Sequence, residues 1–202
     1  MMSNNYYIFE SEGFLMLKAI CIVGSARANG SCGYLVDAMI KGMNESGIET
    51  KKYCIGDMQI QYCCGQKKCY TDGKCVYNDD VKKIVEDLIA ADIVVMAAPS
   101  YWAGVPGQLK VFFDRCTPYG DTDPNLKKTK KGIAIAVRAG MREAENELIL
   151  DSIDHYFGHM AVETVAKVSV CQTDSLEDLL TIHQDKIEEV YLLGKKMSQY
   201  AN

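Results

Sequence analysis

Several things are scarce in this chain, and each scarcity excludes something. No apolar stretch approaches the roughly 20 residues that a membrane-spanning helix needs, so no membrane partner is expected. The basic residues form no long run and the formal charge is -5, which speaks against nucleic acid or an anionic membrane as a partner. There are only four prolines, no low-complexity tract, no internal repeat and no linker. The three histidines, His155, His159 and His183, fall on or near expected helices, where they read as surface or cap residues rather than ligands. The first residues lack a basic n-region, and Glu10, Glu12 and Gly13 interrupt their apolar positions. They do not read as a secretory signal, so a cytoplasmic location is expected.

What is present suits one globular domain. The chain has 202 residues, 48% apolar and 24% charged, which excludes disordered and collagen-like classes. Cysteine is abundant: nine, at 21, 32, 54, 63, 64, 69, 75, 116 and 171. In a reducing compartment these are mostly free thiols. The four between 63 and 75 need their own explanation.

Residues 1–16 are polar, Tyr-rich and acidic and end in a second plausible start, Met16; they are expected to lie outside the core domain, 17–202. A near-continuous apolar run predicts a buried strand at Lys18–Val23, and further strands are expected at Ile48–Ile55, Ile93–Ala98, Gly132–Val137 and Ala161–Val170. Helical stripes lie between them. They run from Ser31 to Gly47, Val81 to Ile89, Val105 to Cys116, Leu148 to Tyr156 and Leu176 to Met197, the last broken near His183. Residues 56–80 are left as a long loop. Five strands alternating with helices predict a doubly wound α/β domain, a five-stranded parallel sheet in the middle of three layers. Ligands of such sheets bind beyond the carboxyl ends of the strands. Three loops are therefore read together.

The first, Gly24 to Cys32 (Gly-Ser-Ala-Arg-Ala-Asn-Gly-Ser-Cys), joins a strand to a helix N-terminus and offers Ser25, Arg27, Ser31 and backbone N–H groups. That suits a phosphate, although an ordinary capped turn has the same look. No Lys follows Gly30, so it is not a Walker A loop, nor is it a Gly-x-Gly-x-x-Gly fingerprint. The second loop is Pro99-Ser-Tyr-Trp-Ala-Gly-Val-Pro. Tyr101 and Trp102, the only tryptophan, suit a flat heteroaromatic ring or simply anchor the loop. The third, Arg138-Ala-Gly-Met-Arg, has Gly140 where a backbone can approach a ligand closely.

Taken together, Gly-Ser-x-Arg-x-x-Gly-Ser at 24–31, Pro-Ser-Tyr-Trp-x-Gly-Val-x-x-Gln-Leu-Lys-x-Phe-x-Asp-Arg at 99–115 and Ala-Gly-x-Arg-Glu at 139–143 resemble the flavodoxin-like NAD(P)H-dependent FMN reductase family. Within it they are most similar to the iron–sulfur flavoprotein branch. The resemblance runs from about Met16 to about residue 165. It implies a flavodoxin-like fold, FMN as cofactor and NAD(P)H as co-substrate. Ser25, Arg27, Ser31 and Cys32 would hold the FMN phosphate. Pro99, Ser100, Tyr101, Trp102 and Gly104 would lie along the isoalloxazine, with Ala139 and Gly140 closing its other side. The chemistry would belong to the flavin, so no catalytic side chain is named. The electron acceptor would be a small molecule or a protein, and the assembly a homodimer or homotetramer. A flavodoxin-type carrier that does not react with NAD(P)H is the alternative. Asp114-Arg115 matches the pair that ends a helix in this family, where a structural ion pair is expected.

The branch with clusters has four cysteine ligands. Aligned on Cys69 and Cys75, its first ligand falls on Cys63 and its second on Gln66, which supplies no thiolate. Three readings stay open: a [4Fe–4S] cluster with Cys64 as substitute, a zinc site on the same residues, and a cluster-free loop with packed or redox-labile thiols, in which Lys67 and Lys68 activate Cys69. The lost ligand favours the last, and no metal ligand is assigned. One rival remains. Cys21-(x5)-Arg27 has the spacing of a low-molecular-weight phosphatase loop and Asp123-Pro124 mimics its acid segment, but Cys21 sits inside an apolar run. Lys127–Lys131, with four lysines in five residues, reads as a solvated loop that could attract a nicotinamide phosphate.

Overall fold

The computed structural model describes residues 16–120, 126 and 128–200. The expected extension, except for Met16, and the Asp123-Pro124 pair lie outside these residues. Five strands form one parallel sheet: β1 (Lys18–Val23), β2 (Glu49–Cys54), β3 (Ile93–Pro99), β4 (Lys130–Val137) and β5 (Val162–Val170), in the order β2-β1-β3-β4-β5. This is the flavodoxin-like order, and the direction of winding switches between β1 and β3. Helices α1 (Ser31–Glu45), α6 (Leu176–Ile182) and α7 (Gln184–Lys196) cover one face. Helices α3 (Asp80–Ala90), α4 (Gly107–Arg115) and α5 (Glu143–His159) cover the other.

The pleat explains the layers. In β1, Ile20 and Ile22 point into one core, while Ala19, Cys21 and Val23 point into the other. In β3, Val94, Met96 and Ala98 alternate with Ile93, Val95 and Ala97 in the same way. Both faces must be apolar because helices cover both, hence the unbroken apolar runs. Cys21 has no exposed surface, and burial pushes its thiol up to about 12. A thiol so protonated is no phosphatase nucleophile.

Some expectations shift. The helix expected from Val105 starts at Gly107, because Pro106 keeps Val105 extended. The long loop contains a four-residue helix, α2 (Cys69–Asp72). The expected helix at Leu148 begins five residues earlier, and the break at His183 separates α6 from α7. The lysine run is not a solvated loop: Lys130 and Lys131 open β4, and Lys130 is wholly buried, its Nζ donating to the Lys128 carbonyl at 3.1 Å. Desolvation lowers its pKa. Lys128 pairs with Asp92, and Lys131 with Glu163 at 2.5 Å. All three sit at the amino end of β4, the end of the sheet away from the ligand-binding loops. They are therefore misplaced for a nicotinamide phosphate bound at those loops. Lys127 is outside the described residues.

Candidate functional site

The carboxyl ends of β1, β3, β4 and β5 open onto one cleft. It is lined by Ser25, Arg27, Gly30, Ser31 and Cys32 of the first loop, Pro99, Ser100 and Tyr101 of the second, Val137, Arg138 and Ala139 of the third, and Thr173 and Asp174 of a fourth. Eight of the eleven residues expected from sequence meet there. Trp102, Gly104 and Gly140 do not line it. Trp102 is fully exposed, with φ +52°, and Tyr101 and Gly104 bridge each other around it. The enclosed volume is about 100 Å³. Tyr101, partly exposed, stands at its edge.

The first loop owes its shape to close backbone contacts. A Cβ on Gly33 would overlap the Ala28 carbonyl oxygen, so the α1 N-terminus lies directly against the loop. Gly56 makes a similar contact, its absent Cβ 2.8 Å from the Ala26 oxygen. Ser25 is buried and its Oγ accepts from Arg27 N at 3.0 Å, which leaves its hydroxyl hydrogen free to donate. Ser31 Oγ donates to the Ser175 carbonyl at 3.0 Å, so its contribution to the cleft is its backbone N–H. Cys32 is buried, and desolvation pushes its thiol up to about 12, so it stays a neutral thiol beside its backbone N–H.

The helix starts differ in a telling way. Asp79 caps α3, and Ser175 with Asp178 forms a capping box on α6. Helices α5 and α7 carry acids in their first turns. Among described helices longer than eight residues, only α1 and α4 start with neither a side-chain cap nor an acid. They follow the first and second loops. Their first N–H groups and positive dipole ends stay available to an anion or a carbonyl oxygen.

The fourth loop was missed by sequence reasoning. Its Thr173 is buried in the cleft wall and its backbone ties neighbours together: Gln172 N donates to Gly140 O at 3.1 Å, Thr173 N to Arg138 O at 2.9 Å, and Arg27 Nη2 to Asp174 O at 3.4 Å. The capping box Ser175-x-x-Asp178 marks the helix start in the sequence, but nothing local says that its loop meets residue 27. Arg138 was noted in its loop but not assigned. It pairs with Glu145 at 3.0 Å, and its buried Nε has no partner among the described residues.

The donor set fits FMN. Ser25, Arg27 and the α1 amides would hold the phosphate, with Tyr101 at the edge of the cleft beside them. The cysteine loop fits a four-thiolate cluster poorly. Cys63 and Cys64 are exposed, Cys69 and Cys75 half-buried, and no three His, Cys, Asp or Glu side chains among the described residues converge as metal ligands. A different partner holds the Cys75 sulfur: Arg115 Nε donates to it at 3.2 Å. The Arg115 side chain is 1% exposed and grips Asp79 with both ends of its fork, at 2.7 and 3.0 Å. Burial works against the Asp79 carboxylate, but bonds from Arg115 and from the Gln61 and Val81 amides outweigh it and hold the carboxyl below its usual range. The expected Asp114-Arg115 ion pair is thus two pairs, Lys110–Asp114 and Asp79–Arg115. A hydrogen bond from Tyr77 is the main cause that draws the Cys64 thiol below its ordinary value. The three histidines lie outside the cleft, His155 and His159 edge to face on α5 and His183 between α6 and α7.

An iron-sulfur flavoprotein of Archaeoglobus fulgidus is 38% identical over 129 residues, 64% of this chain and 58% of that protein. The chain therefore spans little more than half the length of that relative. An iron-sulfur flavoprotein of Methanocaldococcus jannaschii is 33% identical over 141 residues, 70% of this chain and 72% of that protein. Among solved structures, an NAD(P)H:quinone oxidoreductase from Methanothermobacter marburgensis superposes with a TM-score of 0.73 at 14% identity, covering 90% of this chain and 96% of that one, which shows the shared fold. Residues 17–171 match the family described as NADPH-dependent FMN reductase, and the chain belongs to that family.

Proposed function

We propose that the cleft binds FMN and that the protein is a flavin-dependent oxidoreductase, taking reducing equivalents from NAD(P)H and passing them to a small-molecule or protein acceptor. The observation that carries this reading is the pair of uncapped helix starts, α1 and α4, at the two loops that meet in the cleft. Bound FMN supplies the redox chemistry, accepting a hydride and releasing electrons one or two at a time. The chain's own residues bind and orient. Arg27 and the Ser31 and Cys32 amides neutralise the phosphate dianion, and Ser25 donates its hydroxyl hydrogen. The α4 start, with neither cap nor acid, leaves its first N–H groups and positive dipole end free to favour negative charge near the second loop. Trp102 stands clear of the protein and offers a stacking face beside the mouth of the cleft. Trp102 and Met141, 77% exposed on the third loop, give that mouth an apolar rim, which a second copy in a homodimer or homotetramer would cover.

The test is direct. The chain, freed of any flavin, is titrated with FMN and with riboflavin while flavin fluorescence is followed, then mixed without air with NADH or NADPH. FMN is expected to bind at least tenfold more tightly than riboflavin, and its 450 nm band to bleach with one of the nicotinamides. Equal affinity would remove the phosphate role of the first loop. A bound flavin that stays oxidised with both nicotinamides would make the protein a carrier.

A further inference from the structure

Two relatives of this chain are iron-sulfur flavoproteins, and the connection between β2 and α3, where it would hold a cluster, departs from that chemistry. A [4Fe–4S] cluster takes four thiolates. Cys63, Cys69 and Cys75 keep an even spacing of six, and Gln66 stands midway between the first two. Gly65 and Lys67, left-handed at φ +67° and +57°, turn the chain on either side of Gln66, whose carboxamide supplies no thiolate. Cys64 shares a peptide with Cys63, about 3.8 Å from Cα to Cα, too close for the two to take separate corners of one cluster. All nine cysteines are among the described residues, and none of the other five is placed to step in. Cys21, Cys32 and Cys116 are buried, and Cys116 accepts from the Tyr156 hydroxyl at 3.3 Å. Cys54 packs against the core on the α1 side of the sheet. Cys171 follows β5, at the opposite edge of the sheet from β2, and donates to Glu143 at 3.2 Å.

A guanidinium closes this segment instead. Arg115 reaches from the end of α4, its side chain 1% exposed. Its Nη1 donates to the Gln61 carbonyl at 2.6 Å and its Nε to the Cys75 sulfur at 3.2 Å, so one side chain ties the two ends of the cysteine-bearing stretch together. The same guanidinium holds Asp79, and the ring of Tyr77 lies on it, 4.7 Å from ring centroid to Cζ. Gln59 N and Gln61 N donate to the carboxylates of Asp80 and Asp79 at 2.7 and 2.9 Å. Between these ties the backbone bonds are local, Asp72 N to Lys68 O at 2.8 Å and Gly73 N to Cys69 O at 3.1 Å. Residues 62–68 are all exposed, so no core contact there depends on a metal. We propose that this loop folds on Arg115 without a cluster, and that the glutamine at position 66 is what keeps a [4Fe–4S] cluster out. On the reading that the cleft binds FMN, the flavin then passes its electrons straight to the acceptor, with no relay through this loop.

The experiment compares the full chain with Gln66→Cys, a change at an exposed position that leaves the core untouched. Both are purified without air. Iron and acid-labile sulfide are counted per chain as isolated, and again after incubation with ferrous iron, sulfide and a dithiol followed by desalting. The parent chain is expected to retain less than about one iron, and the treated Gln66→Cys chain about four irons and four sulfides. Adding Cys69→Ser to Gln66→Cys is expected to return the count to the parent level, which separates a cluster from iron held loosely at the surface. Thermal unfolding of the parent should give the same midpoint before and after the treatment, since a ligand of the folded chain would raise it. About four irons and four sulfides on the parent would overturn the proposal. So would a raised midpoint of the treated parent, or a Gln66→Cys chain no richer in iron than the parent. The counts are made before any flavin is added, so a failure of the FMN reading would leave them unchanged.

Discussion

The connections that follow β1 and β2 leave the sheet side by side and solve opposite problems. The first is seven residues from Gly24 to Gly30, pressed against its helix by backbone contacts, and it leaves the α1 amides without an internal partner. The second runs from Ile55 to Asp79 and closes on itself: Asp79 caps α3, Arg115 binds Asp79, and the Gln61 carbonyl and the Cys75 sulfur take further donors of the same guanidinium. A short loop with unspent donors leaves them open to a ligand. A long loop whose polar groups satisfy one another is a structural unit, with its reactivity confined to the sulfurs left at its surface. Length alone would have pointed to the second as the binding loop.

Arg115→Ala should break that contrast most severely. It leaves Asp79 nearly buried without its cation, and a loss of about 3–5 kcal/mol is expected from urea unfolding. A loss under 1 kcal/mol would mean that the second loop does not depend on this cation. The same pair sets an acid response. Asp79 has a lowered folded-state pKa, so its contribution is present above the unfolded carboxyl value of about 3.9 and fades as pH falls through the lower folded value. Unfolding curves from pH 5 downward should show the parent chain losing stability faster than Asp79→Asn. Parallel curves would remove Asp79 from the account.

Gly33→Ala attacks the first loop through its backbone. The added methyl meets the Ala28 carbonyl, and a cost of about 2–3 kcal/mol is expected in thermal or urea unfolding. Arg27→Ala should spare stability and cost about 1.5–3 kcal/mol of FMN binding, a ten- to hundredfold rise in Kd, with riboflavin binding unchanged. An equal loss for riboflavin would move Arg27 from the phosphate to the ring. Ser31→Ala is the smallest expected change. Its hydroxyl is spent on Ser175 and its amide remains, so FMN affinity should fall no more than about threefold, within the lower range of a neutral hydrogen bond. A tenfold loss would show that the hydroxyl turns to the ligand.

Much of the fold was readable before the structure. β1 lies where its apolar run stands and β3 ends one residue beyond its own, because a central strand covered on both faces must be apolar throughout; the edge strands β2 and β5 carry exposed polar residues and were still bounded to within a residue at each end. The first two site loops were readable because each lies within one continuous stretch. The lysines before β4 misled because Lys130 looks like any surface lysine until Lys128 and the neighbouring strand enclose it. The outward pose of Trp102 was not readable, because it depends on a left-handed turn at Trp102 and Ala103.

The sequence by itself determined the layers, the strand count and the loops that follow the strands, since each depends on periodicity or on spacing within a few residues. Only the tertiary structure decided that Thr173 and Asp174 wall the cleft beside residue 27, and that Arg115 takes Asp79 and Cys75 rather than its neighbour Asp114. These contacts join residues 36 to 147 positions apart. They follow from how the helices close over the sheet, and no local pattern encodes that.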